Sequence, residues 1–269
     1  MNEIKHTGTE MTADTDAEMM ADKTTDEGVD NPYESPGESV YQQIEQAAGS
    51  QFIHSDGLTK CVVWALYAQV VVAVISIISG FMEYQLLTDY ERGVYASQDE
   101  AVADGEANDR RQMVIAIGYG AVFIISGFLI LKWVYRANYN ARQLGAVGMK
   151  FTPGWSVGWY FIPIMSLWKP FQAMREIWQV SHNPKDWQSV EAGSILGAWW
   201  AFFLINGWLG RVVYNQSNRA EEIAEFKQAA SLSLASDVVG IILALVTLLL
   251  VNKIYRAQID QYNRLFSTP

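Results

Sequence analysis

Four long apolar stretches constrain this chain more than any other feature. They cover residues 61–82, 113–135, 193–214 and 234–255. Each approaches the ~20 residues that a helix needs to cross a bilayer core. The chain is therefore expected to fold as an all-α integral membrane bundle of four transmembrane helices. Segment 61–82 carries no charge, and segment 113–135 carries only Lys132, one turn from its end, where it can snorkel to the headgroups. Residues 238–251 are short alone, but their flanks extend them to a full span.

Charge divides the chain in two. Residues 1–56 hold 13 Asp/Glu and 2 Lys, whereas the rest holds 16 acids and 17 Lys/Arg. The acidic balance belongs to a leader poor in aliphatic residues, which cannot bury enough apolar surface to offset its ordering entropy. Residues 1–56 are thus expected to be a disordered tail, with Asn31–Pro36 as a candidate docking segment and 38–56 as a candidate short polar helix. Residues 57–269 form the membrane domain. No cleaved leader is expected, because the first apolar run starts at Cys61 behind the acidic stretch.

Lys/Arg placement sets the expected orientation. With four spans, both termini and the 136–192 region share one side. That side carries eleven Lys/Arg and the other six, counted after residue 56. Both termini are then cytoplasmic, and the acidic 83–112 loop lies outside.

Between the second and third spans lies a Trp/Pro-rich segment, PGWSVGWYFIPIMSLWKPFQAMREIWQVS, over residues 153–181. From Pro153 to Trp168 it is short for a span, and Pro163 interrupts any helical ladder. Trp155, Trp159 and Trp168 favour the headgroup level. The stretch reads as a shallow re-entrant or interfacial element. Pro170 suits the first turn of a following amphipathic helix. Phe171, Met174, Ile177 and Trp178 would face one way on it, and Gln172, Arg175, Glu176 and Gln179 the other. A fifth span over 155–177 would instead place Lys169, Arg175 and Glu176 in the membrane at several kcal/mol.

Residues 131–137 (LKWVYRA) and 251–257 (VNKIYRA) repeat a span-closing motif. Tyr135 and Tyr255 anchor at the interface, and Arg136 and Arg256 complement the helix C-terminal dipole. The match fits either convergent anchoring or a duplicated two-helix hairpin.

The pattern Trp133-x-Tyr135-Arg136-Ala137-x-x-Asn140, then Pro153-x-Trp155-x-x-Gly158-Trp159-x-x-x-Pro163, and Leu167-Trp168-Lys169-Pro170-x-Gln172-x-Met174-x-Glu176-x-Trp178-x-x-Ser181 resembles the bacterial "domain of unknown function 4328" family of multi-pass membrane proteins. The resemblance covers roughly residues 60–266 and leaves out the acidic tail. Ser166 stands where family members often have Asn. The family implies a bacterial inner-membrane location and a multi-pass architecture. It implies no activity, substrate or catalytic residue.

The candidate site residues follow. Arg136, Asn140, Lys169, Arg175 and Glu176 form a dense polar set beside the central segment, suited to an anionic ligand or lipid headgroup. Gln69 and Asn206 are polar groups inside spans, suited to helix packing or a substrate contact. Ser76-x-x-x-Gly80, Ala116-x-x-x-Gly120 and Gly193-x-x-x-Gly197 are small-residue pairs of the kind that pack helices. Asp237 sits near the edge of the fourth span. His6, His54 and His182 are scattered and Cys61 is the only cysteine, so no metal or cofactor is expected. No phosphate loop, nucleophile elbow or zincin motif occurs. The basic residues are too dispersed for nucleic acid.

Three readings remain. The first is a non-enzymatic scaffold, sensor or assembly factor, with lipid or protein partners taken through the tail or the central helix. The second is a small transporter or channel working as a homo-oligomer. The third is a lipid-acting enzyme using Glu176.

Overall fold

The computed structural model describes residues 51–266. The chain divides into two units, Met1–Tyr41 and Gln42–Pro269, and the description concerns the second. The expectations for the tail over residues 1–50 lie outside the described residues.

The described residues are all-helical. Helices α1 (Asp56–Arg92), α2 (Gln98–Gln143), α5 (Ser194–Ser217) and α6 (Ile223–Phe266) are each long and apolar enough to cross a membrane. Between α2 and α5 lie the short α3 (Pro153–Gly158), two 3-10 turns (Trp159–Phe161 and Met165–Leu167) and α4 (Lys169–His182). No continuous helix covers 155–177, so the fifth span does not form. This is a multi-pass membrane protein with four spans.

Local sequence explains the breaks. Gly93 closes α1 at φ 65°, a left-handed position that costs glycine little. Ser97 opens α2 by accepting from the Glu100 N–H at 3.2 Å. Pro153 and Pro170 occupy the first turns of α3 and α4. Between them the chain reverses at Ile164. Its φ of 70° and ψ of −57°, with the Met165 N–H 2.8 Å from the Pro163 carbonyl, make a strained γ-turn. Tyr160 packs edge-on to Phe203, ring centroids 6.2 Å apart. Phe203 lies nine residues into α5, roughly 14 Å along its axis. The segment thus dips alongside α5, with Trp155, Phe161, Ile164, Leu167 and Trp168 exposed.

The spans pack in the order α2–α1–α6–α5. The start of α1, the end of α6 and the central segment lie at one end, the terminal end. The two short turns, 93–97 and 218–222, lie at the other, the hairpin end. The apolar core is concentrated at the terminal end. There Leu66 of α1, Trp133 of α2, Ile177 of α4, Leu196 of α5 and Ile254 of α6 meet in one cluster. Helix α4 acts as a wedge, touching α2, α5 and α6 together. The α4–α5 approach needs a bare backbone, because a Cβ on Gly193 would lie 2.7 Å from Trp178 Cζ2. Gly193→Ala is expected to destabilise by about 1–3 kcal/mol, read as a lower Tm in detergent; Gly197→Ala, where a Cβ meets nothing within 4 Å, is the control.

One sequence expectation for α4 is corrected. Gln172 and Arg175 point outward as expected, but Glu176 and Gln179 are buried. The helix docks into the protein instead of lying polar-side-out. Backbone groups brought in by neighbouring loops satisfy both side chains. The Glu176 carboxylate accepts the Lys150 and Phe151 N–H groups, and the Gln179 amide donates to the Val190 carbonyl.

Order also extends back to Phe52, ahead of the tail boundary at residue 56. Phe52 stacks on Tyr262 at 4.6 Å, and Tyr255 donates its hydroxyl proton to Asp56.

Candidate functional site

The terminal end gathers most of the residues marked in the sequence, and it uses several as clamps. Asn140, fully enclosed, accepts the Ile53 N–H at 3.2 Å and donates to the Ile53 carbonyl at 2.9 Å. It holds the entry to α1 as a strand neighbour would. Glu176 holds the 150–151 backbone, while Arg142 donates to the carbonyls of Met149 (3.2 Å) and Phe151 (2.8 Å). Lys169 lies over the rings of Phe151 and Trp159 at 5.7 and 5.8 Å. Arg136 is half-buried and Arg175 exposed. Asn140 and Glu176 are therefore engaged with backbone, and Arg175 is exposed where Glu176 is buried.

The interface anchors divide by exposure. Tyr135, Trp155, Trp168 and Arg256 are exposed, whereas Trp159 and Tyr255 are half-buried. Trp155 and Trp159 pair at 4.8 Å. The two copies of the repeated motif meet: the Gln258 amide donates to the Ala137 carbonyl at 2.8 Å, and Val134, Ala137 and Ile254 share the core. The hairpins they close are not arranged symmetrically. Helix α1 packs along α6, but the counterpart seam, α2 against α5, is not packed.

That unpacked seam is the second candidate site. Beyond the reach of α4, a cavity of about 470 Å³ separates α2 from α5. Its floor is Ser76 of α1 with Ser233, Ser236 and Asp237 of α6. One wall is the α2 face that includes Gln112, Ala116, Tyr119 and Phe123; the other is Gly210 and Val213 of α5. The carboxyl group of Asp237 lies near the Ser76 and Tyr119 hydroxyls, which line the same cavity. A Cβ on Gly240 would stand 3.5 Å from both Asn206 Oδ1 and the Tyr119 hydroxyl, so this glycine admits two polar tips to α6. Gln69 packs beside Tyr119 with Val72 and Val122. Gln69 and Asn206 therefore come to one polar layer, with Tyr119 at its centre.

Sequence reasoning did not select Tyr119, and it gave Asp237 no partner. A Tyr in an apolar run resembles any lipid-facing aromatic. Only the meeting of α1, α2 and α6 gives it a carboxylate neighbour. The small pairs also separate in role. Gly80 serves the α1–α6 seam, where a Cβ would lie 3.1 Å from Leu234 Cδ2, while Ser76 reaches the cavity floor. Ala116 and Gly120 both line the cavity.

The hairpin rim above the cavity is polar and interlocked. Arg111 Nε donates to Ser79 Oγ at 3.0 Å, and Gln112 donates to Glu83 at 2.9 Å. Lys227 pairs with Glu91 at 2.7 Å. Among the described residues no group of three or more His, Cys, Asp or Glu is placed to hold a metal.

No curated protein and no solved structure matches this chain. A family model described as a domain of unknown function (DUF4328) matches residues 97–256. The match begins at the α2 cap and ends at Arg256 in α6, so it takes in both walls of the cavity and the whole central segment. Since it covers more than half of the sequence, the chain belongs to the DUF4328 family.

Proposed function

We propose that this protein is a non-enzymatic membrane scaffold, sensor or assembly factor that takes a lipid or protein partner within the plane of the bilayer. The single observation that carries this reading is the laterally open α2–α5 seam. The terminal end is tied by clamps and a shared core, while the hairpin end keeps a cavity between two spans. A rigid base with an accommodating groove suits capture of a ligand from the membrane. The excess of Lys/Arg at the terminal end and the family resemblance support a bacterial inner membrane with both termini cytoplasmic. The groove then opens in the outer half. The exposed Trp155, Leu167 and Trp168 supply a second contact with the cytoplasmic leaflet, and the acidic tail is available to soluble partners.

Gly210→Leu tests this reading. Gly210 lines the cavity and a Cβ there meets nothing within 4 Å, so the variant adds bulk at the cavity without a clash in a packed seam. Native mass spectrometry of protein released from membranes is expected to show a retained lipid or partner on the wild type that is lost from the variant, at an unchanged Tm. The same adducts on both proteins would remove the reading.

Asp237 favours a second reading, a small transporter, because intramembrane carboxylates mark many substrate and proton paths. Reconstituted flux abolished by Asp237→Asn would put transport first.

A further inference from the structure

We infer that the α2–α5 groove is a binding site for a small lipophilic amine in its ammonium form. The inference rests on the groove being the working surface proposed above and names the chemistry of its occupant.

Size comes first. About 470 Å³ falls within the range of small-molecule pockets. A transmembrane helix, about 10–12 Å across with its side chains, needs far more room. The occupant is a small molecule and not a partner's span.

Charge comes second. Asp237 is the acidic residue on the cavity floor, and no Lys or Arg lines the cavity. Among the described residues none forms a salt bridge with it. Its side-chain neighbours are the hydroxyls of Ser76 and Tyr119, which are neutral donors. A carboxylate at this depth is costly unless a counter-charge compensates it. The chain provides the acceptor and leaves out the cation. An anionic headgroup would face a carboxylate here with no basic partner, so this site selects against anions.

Shape and lining come third. Tyr119 and Phe123 bring aromatic rings to the α2 wall, and such rings attract ammonium groups. Ile115 and Val213 offer apolar surface for the body of the ligand. Gly120 and Gly210 keep the mouth open from opposite walls, since a Cβ at either meets nothing within 4 Å. A polar head on Asp237 and an apolar body toward the lipid describe an amphiphilic amine.

The test uses the full-length protein in phosphatidylcholine nanodiscs and two photoreactive probes. One is a diazirine-bearing alkylamine, and the other is the alcohol with the same skeleton. The amine is expected to label α2 and α5 peptides that line the groove, saturably and in competition with unlabelled alkylamine. The alcohol should label them about tenfold less or weaker still, the ratio expected when a charge-assisted hydrogen bond is lost. Asp237→Asn should lower amine labelling to the alcohol level. Gly210→Leu, which keeps the carboxylate, should abolish labelling by both. If Asp237→Asn fails to fold, the amine-to-alcohol ratio on the wild type, together with the loss of both signals on Gly210→Leu, still decides. Equal labelling by amine and alcohol would overturn charge recognition and leave the groove reading standing. Labelling by neither probe above the level on the lipid-facing side of α1 would overturn both.

Discussion

Glu176→Gln is expected to lower the stability of the folded protein by about 3 kcal/mol, although the two side chains have almost the same shape. Both Glu176 oxygens are acceptors in use, at 2.6 Å from the Lys150 nitrogen and 3.0 Å from the Phe151 nitrogen. Glutamine keeps one acceptor and turns the other into a donor. One buried N–H then meets an NH₂ group and loses its partner. The carbonyls of the same loop remain bound to Arg142, so the backbone cannot simply turn away. Thermal unfolding in detergent measures the effect, with the neighbouring Arg175→Gln as the control. Arg175 is exposed, and its change should stay within about 0.5 kcal/mol. Equal Tm shifts for the two variants would show that the 150–151 clamp does not hold the loop.

Trp133→Ala should cost about 3–5 kcal/mol. Trp133 is 2% exposed and stands in the cluster where α1, α2, α4, α5 and α6 converge. Its indole N–H also donates to Thr59 Oγ1 at 3.2 Å, tying α2 to the start of α1. Alanine leaves a large cavity at the level where all these helices meet, and it removes a buried donor. Trp133→Phe keeps most of the apolar volume and should recover about half of the loss. Trp64, 72% exposed on α1, provides the contrast; Trp64→Ala should change Tm little. If Trp133→Ala proved as mild as Trp64→Ala, the terminal-end core would not be the centre of stability.

These two residues show how unevenly the sequence reported the site. Trp133 was legible as part of a span-closing motif, and its burial follows from the cluster it joins with α1, α4, α5 and α6. Glu176 was legible as a helix residue on a polar face. Its burial was not, because its partners are backbone N–H groups 25 and 26 residues earlier, and backbone groups leave no trace in composition. Asn140 is similar, with Ile53 lying 87 residues away. Pro163 and Pro170, in contrast, act on their own neighbours. The break and the helix start they announce appear where expected.

The sequence by itself determined the four spans, the broken central segment, the start of α4 at Pro170 and the family. Each depends on local quantities: the length of an apolar run, the loss of an N–H at proline, or a motif of fixed spacing. Only the tertiary structure decided which seams close. Helix α4 fills the terminal end between α2, α5 and α6, and no described residue fills the same interval at the hairpin end. That choice brings Tyr119, Asn206 and Asp237 together from three helices and places a carboxylate in a groove. A helical period of 3.6 residues says which side chains share a face. What that face meets is a long-range property, set by how the helices pack together.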